Sequence, residues 1–198
     1  MDKKIILASG SAQRKKLMSL LKVPFSIRRS DAREQTRITS TCSALVKKNA
    51  LLKAKDIAGQ VKEGVIIGAD SVVYLGQKKI IGKPINLRQA KKNLKTLFSR
   101  PHWVYTGVAV IDLYSGQEIL DYEKTKIYMN HLSDDDIDTY HQIVCPLDKA
   151  GGFDIEGYGS LFIRRIEGCY SNVIGLPMAR LVGMLKQLDV KIFTNAPD

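Results

Sequence analysis

The chain has 198 residues, 44% hydrophobic and 26% charged, the composition of an ordinary globular protein rather than a disordered or membrane chain, and its length fits one large domain or two small lobes. No apolar run approaches the roughly 20 residues of a bilayer span, and Ile5-Ile6-Leu7 is too short an apolar stretch for a signal peptide. Net charge is +11 and unevenly placed, with 23 Lys and Arg against 6 Asp and Glu in residues 1–100, and 8 against 14 in residues 101–198, so the first half favours anionic partners: nucleic acid, acidic membrane or polyphosphate.

In chain order, residues 4–8 read as a buried strand feeding a helix that starts near Ser11, with Leu17, Leu20 and Leu21 as its apolar stripe. Residues 24–27 suggest a second strand. A polar stretch, residues 28–39, has no periodicity and is expected to be a mobile loop or cleft rim. From about Ser40 to Gln60 the composition is helical, with Val46, Ala50 and Ile57 near one line and Lys53 beside them. Residues 65–81 read as paired strands turning at Gly76-Gln77. Gly82-Lys83-Pro84 then breaks the sheet before a helix whose Ala90, Leu94, Leu97 and Phe98 follow i, i+4, i+7, i+8 spacing.

Residues 103–113 and 118–132 read as long strands joined in a hairpin. Ser133 before Asp134, Asp135 and Asp136 is an N-cap with an acidic first turn, opening a helix that ends before Pro146; the aspartates serve the helix terminus rather than a metal. The four glycines of residues 148–159 suggest a backbone-built loop. A short strand follows at residues 161–166, and Gly175-Leu176-Pro177 starts a last helix through Leu188. The mixture of βα units and hairpins points to an α/β fold on a mixed, twisted central sheet flanked by helices. One domain over residues 1–198 is expected, with two lobes around a cleft and a disordered tail at 194–198.

Cys42, Cys145 and Cys169 are odd in number and lack CxxC or His-paired spacing, so they read as reduced thiols of a cytoplasmic protein. His102, His131 and His141 are scattered and fit structural or surface roles. Asp70 is the informative acid. It stands between the apolar runs 65–67 and 72–75, and a carboxylate inside a sheet needs a partner; the expectation is that it emerges at a strand end, where a metal or water meets it. Ser9-Gly10-Ser11-Ala12-Gln13-Arg14 lies where a strand feeds a helix, a place that favours anions, although it matches neither GxxxxGK[ST] nor GxGxxG. Glu34, one of the few acids in the basic half, is a second candidate metal ligand, and Lys53 and Lys83 are candidate phosphate donors.

Together these segments resemble the Maf family of nucleotide pyrophosphatases, relatives of the inosine triphosphate pyrophosphatase fold. The resemblance runs through Leu7-Ala8-Ser9-Gly10-Ser11 with Arg14, Ala50-x-x-Lys53-Ala54, Gly68-Ala69-Asp70-Ser71, Gly82-Lys83-Pro84, Thr106-Gly107, Asp148-Lys149-Ala150-Gly151 and Asn172-Val173-Ile174-Gly175. It implies hydrolysis of a nucleoside triphosphate between the α and β phosphates with a divalent cation, Mg2+, Mn2+ or Co2+, in a house-cleaning role linked in the family to septum control. Asp70 would be catalytic and, with Glu34, a metal ligand; Ser9, Ser11, Arg14, Lys53 and Lys83 would hold phosphates.

Gln13, Ser71 and Glu156 fall where branches of that family differ, so the base stays open between a pyrimidine and 7-methylguanine. A glutamine both donates and accepts, whereas the Glu156 carboxylate only accepts; pairing of Glu156 with Arg164 or Arg165 is the structural alternative. No membrane and no stable nucleic acid is expected as a partner, since the basic half offers few aromatics for base stacking. A homodimer is compatible with the fold. The rival readings are a basic nucleic-acid-binding protein and a catalytically inactive division regulator.

Overall fold

In a computed structural model of the chain, the described residues are 3–147, 149–153 and 155–193; the expected tail disorder at 194–198 and the Asp148 position lie outside them. Seven strands form one mixed sheet in the order β2-β1-β3-β5-β6-β7, with β4 paired on β3. The short β1 (Ile5–Leu7) runs parallel to β2 (Phe25–Ile27) on one side and to the long β3 (Val65–Gly76) on the other. From there the sheet is antiparallel, through β5 (His102–Asp112), β6 (Gln117–Met129) and β7 (Ile163–Glu167), while β4 (Lys79–Ile81) folds back along the far end of β3.

Helix α1 (Ala12–Ser19) starts at Ser11, whose hydroxyl accepts the Arg14 N–H, and α2 (Cys42–Ala58) starts at Thr41. Helix α3 (Leu87–Phe98) buries Ala90, Leu94, Leu97 and Phe98, the four residues its spacing singles out. Ser133 and Asp136 form a reciprocal capping box at the start of α4 (Asp134–Ile143), as its acidic first turn implies. Two short 3-10 turns, Ala150–Gly152 and Tyr158–Phe162, lead into β7. The sequence pattern overlooked α5 (Tyr170–Ile174), whose five residues are too few to show a period, and α6 (Met178–Gln187) completes the chain.

Alternation along the strands divides the core between two faces. Ile67, Ala69 and Val110 pack on α1 and α6, and further along the same face Val73, Val104 and Ile127 pack on α3 and α4. On the opposite face Ile66 and Ala109 meet Ala50, Ala54 and Ile57 of α2. This helix lies unusually close to the sheet. A Cβ at Gly68 would stand 2.2 Å from the Ala50 carbonyl oxygen, and one at Gly107 would stand 2.3 Å from the Val46 backbone.

That contact predicts that Gly107→Ala destabilises the protein by about 2 kcal/mol or more, since the obstruction is backbone and cannot rotate away. Gly82→Ala, where nothing lies within 4 Å of the added methyl, should stay within about 0.5 kcal/mol. Urea unfolding of the two variants checks this.

His102 is fully buried against Phe153, and burial holds its pKa down to about 4, opposed only by the Arg100 and Leu97 backbone. The ring is therefore neutral in the folded protein, whereas the unfolded chain takes up the proton near pH 6.5. Stability from this residue is present above about pH 6.5 and is lost as the pH falls toward 4. Burial of His141 acts with the same sign. Unfolding midpoints measured across this window should fall in the wild type and fall less in His102→Gln.

Candidate active site

Asp70 does not end a strand: it sits within β3, opposite Gly107 of β5, with only 4% of its surface exposed. The two apolar runs around it are one strand, and the carboxylate stays inside because α2 supplies its partners. Asn49 Nδ2 donates to Asp70 Oδ2 at 2.9 Å and Lys53 Nζ donates to Oδ1 at 2.8 Å. Four residues apart, Asn49 and Lys53 share one face of the helix, and the glycines beneath it let that face reach the strand.

Asp70 nevertheless borders an opening. Strand β1 accompanies β3 only as far as Ile67, where the Ala8 N–H bonds the Ile67 carbonyl, and β4 joins only at Val73. Within that gap the Ala69 carbonyl accepts from Arg14 Nη1 at 2.8 Å and from Lys53 Nζ at 3.3 Å. The two cations approach from opposite faces of the sheet and meet at one backbone oxygen.

Arg14 is held by more than this contact. Its Nε donates to the Gly175 carbonyl at 2.8 Å, Nη2 to Ser71 Oγ at 3.0 Å, and Nη1 also to Ser9 Oγ at 3.3 Å. Burial pushes the guanidinium down from its ordinary value, and the charges of Asp70 and Glu34 oppose that shift. Ser71 Oγ lies 2.8 Å from Thr106 Oγ1, which donates to the Asn172 carbonyl at 3.2 Å. Asn172 in turn donates to Thr125 Oγ1 at 2.9 Å. This polar line runs across β3, β5 and β6 between the two apolar clusters on that face.

Residues 28–39 contain no helix or strand, as expected, yet they are tied to α2 at three points. Ser30 donates to Asp56 Oδ2 at 2.7 Å, and Glu34 Oε1 pairs with Lys53 at 2.8 Å. Asn49 accepts from the Gln35 N–H at 2.8 Å and donates to the Gln35 carbonyl at 2.9 Å. Lys53 thus sits between the two carboxylates, and Asn49 joins the Glu34 loop to Asp70. Sequence reading missed Asn49; the available signal was an amide one turn before Lys53 on an otherwise apolar helix face.

The remaining candidates are placed unequally. Ser9 and Ser11 surround the start of α1, with the Ser11 N–H on Ser9 Oγ at 3.3 Å and Ser11 Oγ donating to Gln13 Oε1 at 3.2 Å. Glu156 pairs with Lys16 of α1 at 2.8 Å, not with Arg164 or Arg165; Arg165 pairs with Glu167 instead. Lys16 comes one helical turn after Gln13, so the loop that carries Glu156 docks beside Gln13. Lys83 is exposed and makes no contact with Asp70, Arg14 or Lys53 among the described residues, although β4 runs back toward the Asp70 end of β3.

No group of three or more His, Cys, Asp or Glu side chains forms a metal cage among the described residues. Asp70 and Glu34 share one ammonium, a pair suited to a hard cation that brings water and phosphate oxygens as its other ligands. Burial and the nearby Asp70 charge push the Cys42 thiol up to about 12, away from thiolate character.

A mixed sheet flanked by helices, whose long central strand carries a partnered carboxylate beside a gap reached by two cations, defines an α/β protein. The same architecture occurs in a solved structure titled the Staphylococcus aureus Ham1 protein, with a TM-score of 0.52 and 16% identity over 94% of this chain and 100% of that one. The chain belongs to the Maf-like protein family, whose profile matches residues 4–188. Among curated relatives, a dTTP/UTP pyrophosphatase of Bacillus cereus is 43% identical over 96% of this chain and 98% of its own length. Proteins of the same name from Bacillus mycoides and Alkaliphilus oremlandii are 43% and 41% identical, over 94% and 93% of this chain and 96% and 95% of theirs.

If Asn49 holds the Glu34 loop to the helix, Asn49→Leu should expose Arg33 and Arg37 to trypsin several-fold faster than in wild type. Unchanged digestion kinetics would assign the loop's position to the Ser30–Asp56 and Glu34–Lys53 contacts.

Proposed function

We propose that this protein is a nucleoside triphosphate pyrophosphatase that cuts the α–β anhydride and releases a nucleoside monophosphate and pyrophosphate. The observation that carries the reading is Lys53 bound at once to Asp70 and Glu34, beside Arg14, in a gap of the central strand. Hydrolysis of an anhydride needs a positioned water, an acceptor for its proton, and cations facing the developing charge. Asp70 serves as that acceptor as the bridging oxygen departs with pyrophosphate. Its Asn49 bond fixes the carboxylate's orientation, so Oδ1 faces the reaction.

Asp70 and Glu34 would also hold a divalent cation, Mg2+, Mn2+ or Co2+, which supplies charge neutralisation when bound. With substrate present, Lys53 exchanges its carboxylate partners for phosphate oxygens. Arg14, Ser9, Ser11 and Lys83 supply further donors. The gap between β1 and β4 then forms the floor of a cleft between two lobes of a single domain, in a cytoplasmic enzyme that clears unwanted nucleotides.

For the base, Gln13, Ser71 and Glu156 gather around α1 on the other face of β3. The names of the relatives support a pyrimidine, dTTP or UTP. So does the Lys16 ion pair, which offsets the carboxylate charge that would draw the cationic ring of 7-methylguanine.

Pyrophosphate release from dTTP, UTP and 7-methyl-GTP, with and without added metal, tests the reading. Asp70→Asn should lower turnover by about a thousandfold or more while retaining the fold, and a chelator should abolish it. Glu156→Gln should shift the profile further toward pyrimidines; an unchanged profile would reduce Glu156 to a scaffold. No release from any triphosphate would leave the inactive, division-regulating alternative.

A further inference from the structure

The face of the sheet that α2 covers near Gly68 and Gly107 is left open further along. Helix α2 begins at Cys42, beside Val72 and Tyr105, and the clusters on α3 and α4 occupy the opposite face. At and beyond that end of the helix three strands present Tyr74, Trp103, Tyr105, Tyr122 and Tyr128, each partly exposed. They are spaced as a surface. Tyr74 lies 6.3 Å from Trp103 and 5.6 Å from Tyr105, and Tyr105 stacks on Tyr122 at 6.2 Å and 10°.

Cations are threaded between the rings. Lys126 Nζ stands 5.4 Å from the Trp103 ring and 4.9 Å from Tyr128, and Arg165 stands 4.4 Å from Tyr128. Lys47 lies 5.8 Å from Tyr122. The register places Lys126 opposite Trp103 and Glu167, and Tyr128 opposite Arg165, so the ladder crosses β5, β6 and β7. Glu167 is the acid built into it, and it is paired with Arg165.

From this arrangement we infer that the open sheet face binds single-stranded nucleic acid. Partly exposed rings on adjacent strands offer stacking platforms to unpaired bases, and the interleaved Lys and Arg follow the phosphates, a combination duplex bases cannot use. A second copy of the chain is a poorer occupant, because a two-fold contact through this patch sets Lys126 and Arg165 against their own like charges. The aromatics that the basic N-terminal half lacks are contributed largely by β5 and β6, and folding brings them to Lys47. The platform is separate from Asp70, and this inference stands or falls independently of the hydrolytic one.

Trp103 is the single tryptophan in the chain, so its fluorescence reports on the platform directly. A labelled single-stranded oligonucleotide of about 12 nucleotides is titrated at low salt, following anisotropy and Trp103 emission, with and without excess non-hydrolysable dTTP analogue. Binding should quench Trp103, persist with the analogue, exceed that of the matching duplex, and weaken more than about tenfold as salt is raised fourfold. Lys126→Glu and Tyr128→Ala should each weaken it about tenfold while leaving pyrophosphate release and the melting temperature unchanged. The inference is overturned by absence of binding, by displacement with the analogue, by equal affinity for duplex, by insensitivity to both substitutions, or by protein dimerisation that Tyr128→Ala abolishes.

Discussion

The close approach of α2 to the sheet is the constraint on which the rest of this structure depends. Gly68 and Gly107 remove the side chains that would hold the helix away, and the backbone of Val46, Ala50 and Ala54 settles into the space. At that distance Asn49 and Lys53 reach a carboxylate in the middle of a strand. Without them Asp70 would be a buried unpaired charge, which costs several kcal/mol and is not tolerated in a folded core. The same packing therefore serves stability and chemistry.

A second consequence follows from unequal strand lengths. Because β1 stops at Leu7 while β3 runs on to Gly76, the central strand has a stretch with no neighbour on one side. Backbone groups there must find side-chain partners, and Arg14 and Lys53 provide them at Ala69. Two cations reach this edge from the two faces of the sheet, so positive charge concentrates beside a carboxylate pair. Arg14 is fixed at four points, whereas Lys53 holds three oxygens that substrate oxygens could replace. In the proposed function these two modes of attachment suit different tasks, Arg14 as a fixed donor and Lys53 as one that changes partners.

Charge and aromatic character are separated along the chain but not in space. The basic first half and the more acidic second half share one sheet, and β5 and β6 carry aromatic residues toward the start of α2. One long sheet thus offers two surfaces: the gap beside Asp70, and the ladder of rings beyond Cys42.

Much of this was legible in the residues alone. The spacing of Ala90, Leu94, Leu97 and Phe98 defines a buried helical face, Ser11 and Ser133 mark helix starts, and the long hairpin follows from two strand-like stretches joined at Tyr114-Ser115-Gly116-Gln117, because each of these signals is local. The candidate residues also stood out: Asp70 and Glu34 as scarce acids in a basic half, Arg14 where a strand feeds a helix, and Lys53 beside a packed helix face. What the sequence could not determine was how they meet. That Asp70 lies within a strand, that Asn49 is its partner, that Glu156 pairs with Lys16, and that Tyr74, Trp103 and Tyr128 share a face all depend on contacts between residues far apart in the chain. Those contacts are set by the packing of α2 on two glycines and by the register of β3, β5, β6 and β7, which no short stretch of sequence encodes.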